Sequence, residues 1–530
     1  MNSSTRILNF CFGFLVFSAM AGCSATGSQM RPSARDYPRV PSYAISQDEK
    51  TSLKDALAGA AAENKGMSGF RVFEKGSESL MARLALVRLA EKSVDLQYYG
   101  IGSDVSSKLM VESIIQAAGR GVRVRLLIDA ITVKEMEDVL LGVNGVENLE
   151  VRIFNPMQTE DQPLPSKLIG MVTDLPNANR RMHNKAMIAD NQMAILGGRN
   201  LSDQHFEADA DYNFRDIDVL AAGPIVADIS KSFDQYWNGP DTFPVAVVFE
   251  PDAKDQKIVE IRHDLRKIWD SEIRKPERRM QLIASIKEVM AAPEFKMEWA
   301  KAELAADHPS KIRKEQSYTE SQPLDHLLSL LDNAKHEFIA ISPYFVPTDK
   351  GVEWLGNFEA QGVEVKVLTN SLASNDVVAT HSGYAPYRKP LLQKGVQLYE
   401  LMAVNGERAE QRLTGSTQPP RAGLHSKLYV IDSAHVLIGS FNLDPRSVKI
   451  NTEVALVIHS EQIAAQMKRF FERAIAPNVS YQLSLDGKGD VVWCGIEKGR
   501  PMIYESEPHG GFWRKLQSRV VGVLPIEDQL

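Results

Sequence analysis

The sequence predicts an α/β protein of two similar domains, each a mixed β-sheet flanked by helices, related by a pseudo-twofold axis with the active site at their interface. Three observations carry that prediction. The pattern H-x-K-x-x-x-x-D occurs as His183, Lys185 and Asp190 and again, 242 residues further on (183 to 425), as His425, Lys427 and Asp432. Each copy leads seven residues later into a small-residue turn ending in asparagine: Gly197, Gly198, Arg199, Asn200 in the first and Gly439, Ser440, Phe441, Asn442 in the second. Arg120-Gly121-Val122-Arg123-Val124-Arg125-Leu126-Leu127 has its counterpart in Gln361-Gly362-Val363-Glu364-Val365-Lys366-Val367-Leu368 at nearly the same offset. With 11 His among 530 residues, two such triplets in register mark an internal duplication rather than coincidence.

The elements follow in the same order in each half. Apolar periodicity predicts a helix around residues 80–89 and 324–331, then a strand at 94–98 and 337–342. A second helix, a glycine and a further strand lead to the motif. The motif itself reads as strand, tight turn and strand, because apolar runs at 187–190 and 193–196, and at 428–432 and 436–438, flank short polar turns. Side chains at i and i+2 of a strand share a face, so His183 and Lys185 project together, as do His425 and Lys427. Asp190 and Asp432 fall on the opposite parity near the turn and read as structural brackets. An acidic residue on the next strand, Asp218 in the first half and Glu453 in the second, is placed to accept a hydrogen bond from an imidazole and fix its tautomer.

Domain limits follow from composition. Residues 44–250 and 323–478 are the two domains, and 479–530 is a C-terminal extension. Between the domains, residues 251–322 are rich in Lys, Arg, Glu and Asp and carry helical spacing through 258–269 and 280–290, as a solvated helical connector would. Its run Arg274-Lys275-Pro276-Glu277-Arg278-Arg279 offers an alternative, a basic surface for anionic headgroups. The segment from Phe512 to Leu530 mixes Phe512, Trp513, Leu516, Val520, Val521, Val523 and Leu524 with Arg514, Lys515 and Arg519, which suits an interfacial helix or packing on the catalytic core. Tyr98, Tyr99, Tyr344 and Phe345, at predicted strand ends, either line a tunnel into the site or fill the core.

The net charge of −7, with 44% hydrophobic and 24% charged residues, is ordinary for a globular protein and gives no global basic footprint for nucleic acid. Residues 1–22 have the charged, apolar and small-residue regions of a secretory signal, with an apolar run too short for a comfortable membrane span. Ala21 and Gly22 before Cys23 resemble a bacterial lipobox, with Met20 where that motif usually has Leu, while Ala19-x-Ala21 would also suit an ordinary signal peptidase. The lipobox reading is favoured, so Cys23 is expected to carry lipid, with residues 23–43 as a flexible tether. Removing the leader takes Cys11 with it and leaves Cys23 and Cys494, so no intrachain disulfide is expected.

The doubled motif with its Gly-Gly or Gly-Ser turn and Asn resembles the phospholipase D superfamily, over about residues 45–530. Within it, Ser371 through Leu392, Asp95-Leu96-Gln97-Tyr98-Tyr99 and Leu524-Pro525-Ile526-Glu527 resemble bacterial cardiolipin synthase C-type phosphatidyltransferases. That resemblance implies two phospholipase D-like α/β domains and a catalytic set of His183, Lys185, Asp190, His425, Lys427 and Asp432. One histidine attacks a phosphodiester to give a phosphohistidine while the other protonates the departing alcohol; the resemblance assigns His183 as nucleophile and His425 as acid. Lys185, Lys427, Asn200, Asn442 and Ser440 are donors suited to the phosphate oxygens. The arrangement requires no metal or other cofactor.

The expected function is a membrane-associated phosphatidyltransferase of the bacterial cell envelope, held by Cys23, with phosphatidylglycerol and phosphatidylethanolamine as candidate lipids. A phospholipase D releasing phosphatidic acid and a nuclease of the same superfamily are the alternatives. The acidic balance and the lipoprotein-like leader disfavour nucleic acid as a partner.

Overall fold

Both halves fold in the repeated order. The computed structural model describes residues 40–156, 179–249, 255–274, 296–313, 321–403 and 421–522. Helix Gly76–Leu89, strand Ser93–Tyr98, helix Val105–Gly119 and strand Arg123–Asp129 recur as Gln322–Leu331, Glu337–Ile341, Thr348–Ala360 and Glu364–Asn370. Leu80, Leu84 and Val87 recur at helical spacing and are buried, which fixes the inward face of the first helix. The second helix of each half ends at Gly121 and Gly362, whose φ values of 90° and 88° are left-handed and free of Cβ strain only for glycine.

Within each half, three parallel strands lie beside an antiparallel set. Ser93–Tyr98 pairs in parallel with Arg123–Asp129, and that strand with Leu149–Phe154. On its other edge Ser93–Tyr98 meets the motif hairpin Ala186–Ala189 and Met193–Gly197 antiparallel, followed by Asp218–Ala222 and Ser68–Phe73. The second half repeats this with Glu337–Ile341, the hairpin Leu428–Ile431 and His435–Gly439, and Val454–His459.

The two sheets are continuous through a strand that the sequence reading did not find. Glu298–Ala306 pairs antiparallel with Ser68–Phe73 at one end and with Val454–His459 at the other. Residues 251–322 are therefore not simply a solvated helical connector. Among its described residues the α-helix Asp255–Ile273 buries Leu265 and rests Ile261, Ile268 and Trp269 on the first half's core. Most of the basic run at 274–279 and the helix expected at 280–290 lie outside the described residues.

A shared core sits between the halves. It combines Ile188, Leu196, Phe233 and Trp237 of the first with Ile341, Ile438, Met467 and Phe471 of the second, through helices Ile225–Trp237 and Glu461–Ala474. Each half has a further core on its outer side. Two other limits shift. Residues 40–44 are seated rather than tethering: Arg152 and Arg125 donate to the carbonyls of Val40 and Ser42 at 2.9 and 2.6 Å, and Ala44 N–H donates to Asp234 at 2.8 Å. The C-terminal extension begins with strands Ser480–Leu485, Val491–Glu497 and Arg500–Tyr504, which extend the second sheet from Gln397–Leu401. Cys23 and the leader lie outside the described residues. Among those described, no helix is long and apolar enough to cross a membrane.

Candidate active site

The motif histidines lie not on the hairpin strands but on the extended segments entering them, just before Ala186–Ala189 and Leu428–Ile431. Each entry segment is held by the other half. His183 N–H donates to the Thr452 carbonyl at 2.9 Å, and His425 N–H to the Arg215 carbonyl at 2.8 Å. Met182 thus pairs in parallel with Thr452, and Leu424 with Arg215. In both cases the residue before a motif histidine pairs with the residue before an acid of the opposite half, which is the pseudo-twofold in its most local form.

The acids are therefore exchanged between halves. His183 Nδ1 lies 2.9 Å from Glu453 Oε2, and His425 Nδ1 lies 2.7 Å from Asp216 Oδ2. A carboxylate on Nδ1 keeps the proton there and leaves the Nε2 lone pair for chemistry. Asp216, not Asp218, is the first-half acid. Asp218 points away into a structural cluster, with Arg83 at 3.0 Å, Arg199 at 3.4 Å and Ser79 Oγ at 2.5 Å. The misassignment follows from the Asp216-Ile217-Asp218 pattern. Both carboxylates have the same strand parity, and only the cross-sheet register, Gly197 against Asp218 and Gly439 against Ala455, makes Asp216 the counterpart of Glu453.

The small turn residues let these strands approach. A Cβ at Gly198 would overlap Asp216 Oδ1, and one at Gly439 would overlap the Val454 carbonyl. Where the first half has Gly198, the second has Ser440, whose Oγ donates to Glu453 Oε2 at 2.5 Å; Ser447 Oγ donates to Oε1 at 2.9 Å. Asp216 instead faces His205, whose Nδ1 lies 3.6 Å from Oδ2 and whose ring stacks on Phe214 and meets His425 edge-on at 4.7 Å. His205 was not singled out from the sequence. Its only sequence signal is its position five residues after Asn200, outside the motif.

The lysines sit beside their histidines. Lys185 Nζ donates to the His183 carbonyl at 2.6 Å, and Lys427 Nζ to the His425 carbonyl at 2.5 Å. Lys185 also lies 5.0 Å from the centre of the Tyr99 ring, which packs edge-on against His183. Tyr98 and Phe345 are core residues, whereas Tyr99 and Tyr344 are half-buried. Asn200 Nδ2 lies 3.4 Å from His205 Nε2, and Asn442 N–H reaches Ser447 Oγ at 3.4 Å. Asn442 Oδ1 is buried and has no hydrogen-bond partner among the described residues. Asp190 and Asp432 are at the far ends of the hairpin strands, away from the histidine ends. Asp190 accepts from Glu91, Lys92 and Ser93 N–H at 2.8–2.9 Å, and Asp432 from Lys335, His336 and Glu337 N–H at 2.8–3.1 Å. They hold the turns and take no place among the groups facing a substrate.

Electrostatics tie the two clusters into one site. Burial, reinforced by Lys185, Lys427 and Arg446, holds the His183 imidazole well below its ordinary range. Burial and Lys427 lower His425 likewise, against the pull of Asp216. Burial lowers Lys185 well below the usual lysine range and Lys427 to about 8. The carboxyls differ. Burial pushes Glu453 up to about 7 despite Lys185 and Ser440, whereas at Asp216 burial is outweighed by His425, His205 and Lys427, which hold it well below the usual carboxylate range. His205, Asp216 and His425 place ligand-type atoms within 4.8 Å of one another. Lys427 Nζ, 3.0 Å from His425 Nδ1, already sets a cation at that spot.

A family profile described as "Cardiolipin synthase, PLD-like domain" matches residues 84–237 and 327–475, one match per half. The chain is 34% identical to cardiolipin synthase C of Escherichia coli K12 over 90% of its own length and 99% of that protein's. It is 24% identical to cardiolipin synthase B of Salmonella typhi over 73% of its length and 76% of that protein's. In fold it is similar to the crystal structure of phosphatidylserine synthase of Haemophilus influenzae, with a TM-score of 0.56 at 11% identity, covering 90% of this chain and all of that one. The chain belongs to the cardiolipin synthase family of proteins with paired phospholipase D-like domains.

Proposed function

We propose that this protein is a phosphatidyltransferase that makes cardiolipin by a two-step exchange at one phosphorus. The observation that carries this reading is the pair of buried imidazoles, each with Nδ1 on a carboxylate of the opposite half. His183 Nε2 attacks the phosphodiester of a phospholipid; the P–N bond forms as the P–O bond to the headgroup alcohol breaks. His425 donates its proton to that departing oxygen, then takes the proton of a second headgroup alcohol, whose oxygen displaces His183 from phosphorus. Lys185 and Lys427 stabilise the charge on the phosphoryl oxygens. The unequal acids support this division of labour. Burial keeps both imidazoles well below their ordinary range, but the ionised Asp216 pulls His425 toward the protonated form that an acid needs, whereas Glu453, pushed up to about 7, gives His183, the neutral nucleophile, less of that pull.

The candidate lipids are phosphatidylglycerol and phosphatidylethanolamine, and the proposed location is the bacterial envelope, with Cys23 lipidated. An acceptor alcohol bound beside the phosphohistidine has a large effective-molarity advantage over water, which favours transfer over hydrolysis. The test supplies purified protein with phosphatidylglycerol, alone and with phosphatidylethanolamine, without added divalent metal. Cardiolipin is the expected product. Phosphatidic acid alone would move the assignment to phospholipase D, and cleavage of DNA without action on lipid would move it to a nuclease. His183→Ala should abolish both turnover and phosphoenzyme, whereas His425→Ala should abolish turnover and still label.

A further inference from the structure

Helix Phe512–Val521 contains Arg514, Lys515 and Arg519 and no acidic residue, and none of its side chains is buried. Five of the ten large hydrophobic residues exposed among the described residues fall in residues 502–516, with Trp513 and Phe512 at 76% and 73% exposure. Phe512, Leu516 and Val520 recur at i, i+4 and i+8, beside Trp513, so the apolar side chains form one stripe along the helix. The stripe faces away from the protein, because the inward face is fixed by polar contacts. Arg514 donates to the Asn375 carbonyl, and Ser382 Oγ to Ser518 Oγ at 3.0 Å. The chain entering the helix is clamped by Glu507, which meets His381 at 3.0 Å and Arg388 at 2.5 Å. An amphipathic helix so fixed holds its apolar side outward.

The loop that Arg514 grips also borders the active site. Tyr212 donates to the Ser374 carbonyl at 2.9 Å, and Tyr344 to Asp376 at 2.7 Å. Tyr212 packs on Phe214, and Phe214 on His425, with ring centres 5.1 and 4.9 Å apart. A few side chains thus separate the exposed stripe from the catalytic imidazole. We propose that helix Phe512–Val521 docks on the surface of an anionic phospholipid bilayer, with Phe512, Trp513 and Leu516 in the headgroup boundary and Lys515 and Arg519 on the lipid charge, so that the active site opens against its substrate. Cations without anions beside an aromatic stripe complement such a surface. The proposal rests on the phosphatidyltransferase reading only for its purpose, not for the docking itself.

The test uses full-length Cys23→Ala protein, so that no lipid anchor contributes, and flotation with vesicles of phosphatidylcholine with or without phosphatidylglycerol. Wild-type helix sequence should float with the phosphatidylglycerol vesicles, and Trp513 emission should be quenched by brominated acyl chains in a way that Trp513→Tyr loses. F512S/W513S/L516S should weaken vesicle binding at least tenfold and cut turnover of vesicle lipid similarly, with turnover of dissolved dihexanoyl phosphatidylglycerol unchanged. K515E/R519E, which leaves the apolar stripe intact, should weaken binding most at low salt. Absence of wild-type flotation, flotation of the triple variant like wild type, or a dimer lost in that variant with vesicle binding intact would each overturn the proposal. Vesicle binding lost in the variant, with no lipid turnover by any form, would leave docking standing and sink the phosphatidyltransferase reading.

Discussion

At the scale of single residues, Asp216 and Asp218 make the sharpest contrast, because two carboxylates one residue apart do unrelated work. Asp216→Asn removes the charge that holds His425, and turnover should fall by roughly 10²- to 10³-fold. Asp218→Asn leaves Arg83 and Arg199 buried beside a neutral amide. It should lower stability by about 3–5 kcal/mol, with activity per folded molecule largely kept. Urea denaturation and turnover measured on both variants check this; equal loss of activity would return Asp218 to the site. Lys427 supplies a pH prediction. Its ammonium is charged below about 8 and neutral above, so the positive charge it offers a substrate phosphate is present at pH 7 and lost as pH rises. Accordingly kcat/KM should fall above pH 8, and Lys427→Arg, whose guanidinium does not titrate there, should move that limb upward. The sequence showed the histidines and lysines because their spacing repeats, and Glu453 because it is the one acid entering the strand after the second motif. It hid Asp216 because His183 to Asp216 spans 33 residues (216 − 183) and His425 to Glu453 spans 28 (453 − 425), so the repeat offers no common offset. It hid His205 because no second-half counterpart exists; Ser440 and Ser447 occupy the corresponding role around Glu453.

At the scale of elements, the repeated order of helix and strand was legible because burial on both faces writes apolar runs that glycines punctuate. Strand Glu298–Ala306 was not. Its sequence carries Glu298, Lys301 and Glu303 among alanines, and its apolar content is too thin to stand out from a charged segment. Only pairing with a strand of each half, which no local pattern records, makes it a strand. The motif hairpins show the reverse, a turn fixed by one side chain. Asp190 and Asn191 both have φ of 51°, and Asp432 and Ser433 have 50° and 52°. The aspartate of each pair gathers three backbone N–H groups of the segment entering the neighbouring strand. Asp190→Ala strands those donors and should cost roughly 2–4 kcal/mol at about 1 kcal/mol each, whereas Asp432→Ala, in a more exposed turn, should cost less. Urea midpoints for the two variants test the order, and a larger loss at Asp432 would refute the bracket account.

At the scale of the whole molecule, neither half holds a complete site. His183 needs Glu453 and the Thr452 carbonyl from the second half, and His425 needs Asp216 and the Arg215 carbonyl from the first. The same exchange is written into packing. The shared core draws side chains from both halves, and Glu298–Ala306 is paired to a strand of each. Covalent continuity between Arg274 and Lys296 should therefore matter little once the molecule has folded, while non-covalent continuity should matter completely. A protease site placed between those residues allows a direct test. After cleavage the two fragments should elute together and keep most of the turnover of the intact chain, because a shared apolar core and a strand ladder still join them. Separation in denaturant should leave each fragment inactive alone, since each then carries a motif histidine with no carboxylate on Nδ1. Remixing on refolding should restore activity, and Asp216→Asn in the first fragment should impair the remixed enzyme even though His425 resides in the other. Activity from one isolated fragment would show that a half can supply its own acid, and the exchanged pairing would then not be the source of the site.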